Sequence, residues 1–129
     1  YTLSELTVKV EEVWHLAAST SFNPAHKAKI ESTNLGGTRN IIALSEHCSN
    51  LKNFFYVSTA YICGKEQDGI PEGKVVVKAG YKNPYEQSKH ACEALVSESN
   101  LPWSIIRPSI LMGDSQTGGA EGENRMVYG

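Results

Sequence analysis

Tyr85 and Lys89 are the residues of this chain best suited to acid–base chemistry. They lie four apart in the run NPYEQSK, residues 83–89, so on a helix they share one face. A tyrosine phenol ordinarily titrates at about 10, and a nearby ammonium favours the phenolate and lowers that value. A phenol tuned in this way exchanges a proton with a carbonyl or alcohol oxygen near neutral pH. By itself the spacing is weak, because an aromatic core residue with a solvated lysine one turn on gives the same pattern.

The neighbouring runs strengthen it. YVSTAYICG, residues 56–64, passes from an apolar stretch into a loop and puts Ser58 and Thr59 at the carboxyl end of a strand. Open parallel sheets bind ligands at that end. A hydroxyl there can bond a substrate oxygen opposite the tyrosine; the plainer alternative is a pair of hydroxyls satisfying loop amides. HLAAST, residues 15–20, places Ala17 and Ala18 at the end of another strand. Small side chains there let an extended cofactor lie against the backbone, or simply let strand pack on helix.

These residues need a scaffold, and the chain alternates strand with helix. EVWHLAA, residues 12–18, predicts a short buried strand. Asn23-Pro24 predicts a helix start, a capping side chain followed by a residue suited to the first turn. Ile30, Asn34, Gly37, Ile41, Leu44 and Cys48 then recur at three and four, one face of a single long helix. Gly36 and Gly37 in its middle predict close approach of a neighbouring backbone or ligand. NFFYVS, residues 53–58, is continuously apolar enough for a strand buried on both faces. Residues 64–83 predict a functional or mobile loop with a short extended piece at 75–77. Pro84 opens a helix to about Ser99; WSIIR, residues 103–107, is a third strand, and the chain is glycine-rich and polar after Gly113. Strands separated by helices imply crossovers and a parallel sheet.

Composition narrows the class. With 129 residues there is room for one domain or part of one, and 40% hydrophobic with 20% charged residues is ordinary for a globular protein. A net charge of -2 leaves no basic footprint for nucleic acid. No apolar run approaches the roughly 20 residues that span a bilayer, and YTLSELTVKVEEVW has no secretory-signal pattern. Cys48, Cys63 and Cys92 are odd in number and without C-x-x-C spacing, as expected for reduced thiols in a cytoplasmic protein. His15, His26, His47 and His90 form no H-E-x-x-H or other metal pattern.

HLAA, NLGGTRN, YVSTAYICG, NPYEQSK and LPWSIIRPSILMG, in this order from about Val13 to Gly113, resemble the extended short-chain dehydrogenase/reductases. RPSILMGDSQTG is similar more narrowly to the thioester-reductase and fatty acyl reductase (male-sterility-type) branch. The resemblance implies an α/β fold, a Rossmann-type parallel sheet with flanking helices. It implies that residues 1–129 form the second half of an NAD(P)-binding domain, without its glycine-rich first half or its substrate-binding part. It implies reduction of a small-molecule or carrier-bound acyl thioester to aldehyde or alcohol with NADP, NAD being the other candidate. Tyr85 is then the general acid or base. Lys89 lowers its pKa and bonds the nicotinamide ribose; Thr59 orients the substrate carbonyl. Asn34 fixes the helix and a water chain behind the lysine, or is a buried amide bonded to backbone. Ala17, Ala18, Ser19 and Ser58 border the cofactor, and Pro108, Ser109 and Ile110 run along its nicotinamide.

Two departures stand out. Cys63 replaces a tyrosine common before the closing Gly64, and no glycine-rich pyrophosphate loop follows a first strand. The isolated chain is therefore expected to bind cofactor poorly. Rival readings are a nucleotide-sugar epimerase or dehydratase sharing the Tyr–Lys pair, and a non-catalytic cofactor sensor, which would tend to lose one of the two.

Overall fold

A computed structural model describes residues 2–67, 69–110 and 116 of the chain. Its centre is a three-stranded parallel sheet, β1 Glu12–His15, β2 Asn53–Val57 and β3 Trp103–Ile106, in the order β1-β2-β3. Val13, Phe54 and Trp103 are in register, as are His15, Tyr56 and Ile105. Those pairs share one face of the pleat. Phe54 and Tyr56 on that face are buried with Cys92 and Val96 of α4, Pro84–Ser97, and with Ile41 and Ile42 of α3, Gly37–Glu46, packed against them. Both helices therefore cover the same side of the sheet.

Among the described residues the other side is bare, whereas the apolar run predicts a strand buried on both faces. Burial along β2 alternates, and Trp14 and Ile106 on the uncovered face are 53% and 38% exposed. Trp14 stacks on Phe55 with ring centres 4.1 Å apart. A continuous apolar run thus reads as a strand correctly, but does not say how many of its faces are covered.

β1 is shorter than residues 12–18, since the chain leaves the sheet after His15. The helix expected from Pro24 to Cys48 is several pieces. Asn23 caps a 3-10 turn, Pro24–His26, by accepting from the Ala25 N–H at 2.9 Å. α2, Lys27–Glu31, a π turn, Ser32–Gly36, and α3 follow. The π turn takes up an extra residue, so the buried face slips by one. It runs Ile30, Asn34, Thr38 and Ser45 in place of Gly37 and Leu44, and Leu44 is 41% exposed. Gly36 and Gly37 are not crowded: a Cβ on either would meet nothing within 4 Å.

An N-terminal helix, α1 Leu3–Lys9, was not anticipated. Its signal was present in Thr2-x-x-Glu5: the Thr2 hydroxyl accepts from the Glu5 N–H, and the Glu5 carboxylate accepts from the Thr2 N–H at 2.7 Å.

The loop between Gly64 and Asn83 has no strand at 75–77 but is tied down along its length. The Glu66 carboxylate accepts from the N–H groups of Lys78 and Ala79, which hold its pKa below the usual range. His90 of α4 bridges the Tyr81 hydroxyl at 2.6 Å and the Val75 carbonyl at 3.0 Å. Arg107 bonds both oxygens of buried Glu93 and the carbonyls of Glu72 and Gly73. Gly64 is required where it stands, with φ +61° and a would-be Cβ pressing on the Gly80 carbonyl oxygen. Cys48, Cys63 and Cys92 are free. Among the described residues no helix is long and apolar enough to cross a membrane.

Candidate active site

All three strands run the same way, so the segments after His15, Val57 and Ile106 emerge at one end of the sheet. Ala17, Ala18 and Ser19 follow β1, Ser58 and Thr59 follow β2, and Pro108, Ser109 and Ile110 follow β3. The last two segments continue to pair beyond the strands. The Ser58 N–H donates to the Ile106 carbonyl at 2.7 Å, and the Ala60 N–H to the Pro108 carbonyl at 3.0 Å. The glycine-rich stretch after Gly113 and the end of the RPSILMG run lie outside the described residues, apart from Gln116.

Tyr85 and Lys89 project from the first turns of α4. Asn83 caps that helix through the Glu86 N–H at 2.9 Å, and Pro84 occupies its first turn. Lys89 is 2% exposed, and its Nζ donates to the Val57 carbonyl at 2.6 Å, at the carboxyl end of the central strand. The ammonium also sits 4.2 Å above the centre of the Tyr56 ring. Burial depresses the Lys89 pKa to about 8, with Cys92 and Glu93 opposing the shift.

Tyr85 is half-buried, with its ring 5.6 Å from that of Phe22 in the segment after β1. Burial pushes its phenol above the ordinary value. This corrects the expected lowering: the Lys89 ammonium is directed at Val57 and Tyr56, and desolvation dominates at Tyr85.

Asn34 sits in the π turn, 2% exposed. Its Oδ1 accepts from the Ser19 N–H at 2.7 Å. Its Nδ2 donates to the Ser19 carbonyl at 3.1 Å and to the Ser88 hydroxyl at 2.8 Å. Ser88 in turn donates to the Tyr85 carbonyl at 2.8 Å. One amide thus joins the segment after β1 to the turn of α4 that carries Tyr85. A π turn is a frequent feature of functional sites because it re-aims one residue of a helix.

The Thr59 hydroxyl caps the 3-10 turn Ala60–Cys63 by accepting from the Tyr61 N–H at 3.3 Å, which leaves its proton free to donate. Ser58 is 4% exposed, and its Oγ is the buried side-chain polar atom without a partner among the described residues. An unpaired buried hydroxyl is costly in a fold, and a bound water or ligand group would satisfy it.

Sequence reasoning overlooked two residues beside these. His15 is buried, bonds the Thr38 hydroxyl at 3.0 Å and packs 5.5 Å from the Tyr56 ring. It opens the HLAA run, but a lone histidine at a strand end carries no spacing signal of its own. Tyr56 lies in the apolar run NFFYVS and opens YVSTAYICG, with nothing in either to mark its ring as a partner of Lys89.

A parallel sheet with an anchored lysine and two hydroxyl residues at the carboxyl end of its central strand is a Rossmann-type arrangement of the short-chain dehydrogenase/reductase kind. The whole chain, residues 1–129, matches the male sterility protein family of NAD-binding domains, and it belongs to that family. It is 31% identical over 130 residues to the fatty acyl-CoA reductase wat of Drosophila melanogaster, covering 80% of this chain and 25% of that protein. Among solved structures it is similar to the terminal R domain of the myxalamid PKS-NRPS biosynthetic pathway, 26% identical with a TM-score of 0.76 over 89% of this chain and 30% of that one. The UDP-glucuronic acid 4-epimerase of Bacillus cereus, solved with NAD, shares the fold, at 22% identity and a TM-score of 0.69 over 88% of this chain and 37% of that one. The chain spans 26% or less of the length of the first curated relatives it matches.

Proposed function

We propose that this chain belongs to an NAD(P)H-dependent reductase of acyl thioesters, with Tyr85 as the acid. The observation that carries the reading is the anchoring of Lys89, on the Tyr85 face of α4, to the carboxyl end of β2. That is where an open parallel sheet receives a ligand. The unpartnered Ser58 hydroxyl at the same strand end fits a bound nicotinamide cofactor. Ala17, Ala18 and Ser19 would border that cofactor on one side, and Pro108, Ser109 and Ile110 on the other.

When bound, a nicotinamide cofactor would supply the hydride for the thioester carbonyl carbon. Tyr85 gives its phenolic proton to the carbonyl oxygen. A phenol raised by burial stays protonated at neutral pH, as an acid must. Thr59, with its proton free, orients that oxygen. Lys89 would hold the cofactor ribose with the N–H groups that Val57 does not use. Asn34 keeps the Tyr85 turn and the Ser19 segment in mutual register. The hemithioacetal would then pass its hydroxyl proton to the departing sulfur, releasing the thiol and leaving an aldehyde, which a second NAD(P)H would take to the alcohol. NADP is the proposed cofactor, and the acyl group is either free as a small thioester or tethered to a carrier.

The test uses the full-length protein, NADPH and NADH, long- and short-chain acyl thioesters, and nucleotide sugars in parallel, with nicotinamide absorbance as the readout. Cofactor consumption with thioesters alone is expected, and Tyr85→Phe should lower it by about 100-fold or more. Conversion of a nucleotide sugar without net consumption, which an epimerase gives by returning its hydride, overturns the reading.

A further inference from the structure

Lys89 carries a buried charge with no carboxylate of the described residues bonded to it. Charges removed from water are ordinarily paired, because their lost hydration must be replaced. The groups facing this ammonium are few. From β1 comes His15, whose pKa is lowered by burial first and by the Lys89 charge second, so it is neutral near pH 7. From β2 come the Tyr56 ring, 4.2 Å below Nζ, and the Val57 carbonyl at 2.6 Å. From α4 come Cys92 and Glu93. The Glu93 carboxylate is already held by Arg107, with bonds of 3.0 and 2.8 Å.

We propose that Tyr56 is a positioning residue, whose ring face holds the Lys89 ammonium at the carboxyl end of β2. A cation over an aromatic face is attracted by the negative charge of that face, more strongly where water is excluded. The ring also sets direction. One N–H of the ammonium is spent on Val57 and the ring covers another side of it, which limits the directions left to the remaining donors. The hydroxyl of Tyr56 plays no part, because the attraction is to the ring. Burial keeps that phenol protonated, so it offers no anion to the lysine. The consequence for catalysis rests on the Tyr85–Lys89 reading above; the electrostatic claim about Tyr56 does not.

Two measurements on the full-length protein separate these. The first is the titration of the Lys89 Nζ by NMR in 15N-lysine-labelled protein, assigned with Lys89→Met. Tyr56→Phe keeps the ring and should leave that titration within a few tenths of a unit. Tyr56→Leu should lower it by about one unit, and pentafluorophenylalanine at position 56, which keeps the volume but reverses the polarity of the face, should lower it at least as far. The fluorinated ring decides the matter if Tyr56→Leu does not fold. The same titration in all variants overturns the proposal. The second is the pH profile of thioester reduction, whose alkaline limb should move down with the Nζ value. If Tyr85→Phe proves fully active, the catalytic reading fails while the Nζ titration still decides the role of Tyr56.

Discussion

At the scale of residues the site is governed by desolvation more than by charge pairing. Tyr85 is raised and Lys89 is depressed to about 8, both with burial as the leading cause. For Lys89 the consequence for stability has a definite sign. The unfolded chain binds the lysine proton up to its ordinary value of 10.5, whereas the folded chain releases it at about 8. Below pH 8 the buried charge costs the fold roughly 3 kcal/mol, and this penalty is relieved as pH rises from 8 to 10.5. Lys89→Met removes the penalty. Its stability relative to wild type should be greatest near pH 7 and shrink steadily above pH 8, as read from urea unfolding at several pH values. A difference that is flat across that window would mean the lysine is better hydrated than its 2% exposure indicates. A buried charge held at a cost in stability is an expected trade if Lys89 serves the proposed reaction.

At the scale of elements, the segment from Gly64 to Asn83 is long but held. Arg107 lies just past β3, Glu93 on α4 and residues 71–73 in the loop, so one side chain fastens three parts of the fold. The Glu93 side chain is 6% exposed and that of Arg107 19%, which makes this pair the least solvated ion pair among the described residues. Removing one partner of such a pair strands the other. Arg107→Met should cost on the order of 3 kcal/mol and open residues 71–73 to limited proteolysis, whereas Arg107→Met with Glu93→Leu should recover much of the stability. Equal losses in the single and double variants would show that the carbonyl contacts, and not the carboxylate, are what Arg107 contributes. At the other end of the loop, Gly64→Ala forces an L side chain into φ +61° against a backbone carbonyl. It should lower the thermal midpoint by an amount equivalent to roughly 2 kcal/mol.

At the scale of the whole molecule, the alternation of strands and helices, the parallel sheet and the position of Ser58 and Thr59 just after the central strand are legible in the sequence, as is the single helix that carries Tyr85 and Lys89. Each rests on local chemistry: Asn83-Pro84 starts a helix wherever it stands, a four-residue spacing puts Tyr85 and Lys89 on one helical face, and small or hydroxylated residues after an apolar run mark a strand end. Other features depend on which surfaces meet. The π turn at Ser32–Gly36 slips the buried face from Gly37 and Leu44 to Thr38 and Ser45, and periodicity alone cannot register an inserted residue. The same turn puts Asn34 between Ser19 and Ser88, contacts 15 and 54 residues apart in sequence. The direction of the Tyr85 shift was misjudged because it follows from how much water is excluded, a property of packing. The sharing of Lys89 between Val57 and Tyr56, 32 and 33 residues away, likewise exists only once α4 lies across β2. Residue types and spacings determined what chemistry the chain can offer and on which elements; the packing of those elements decided which groups touch, which are dry, and so how each one titrates.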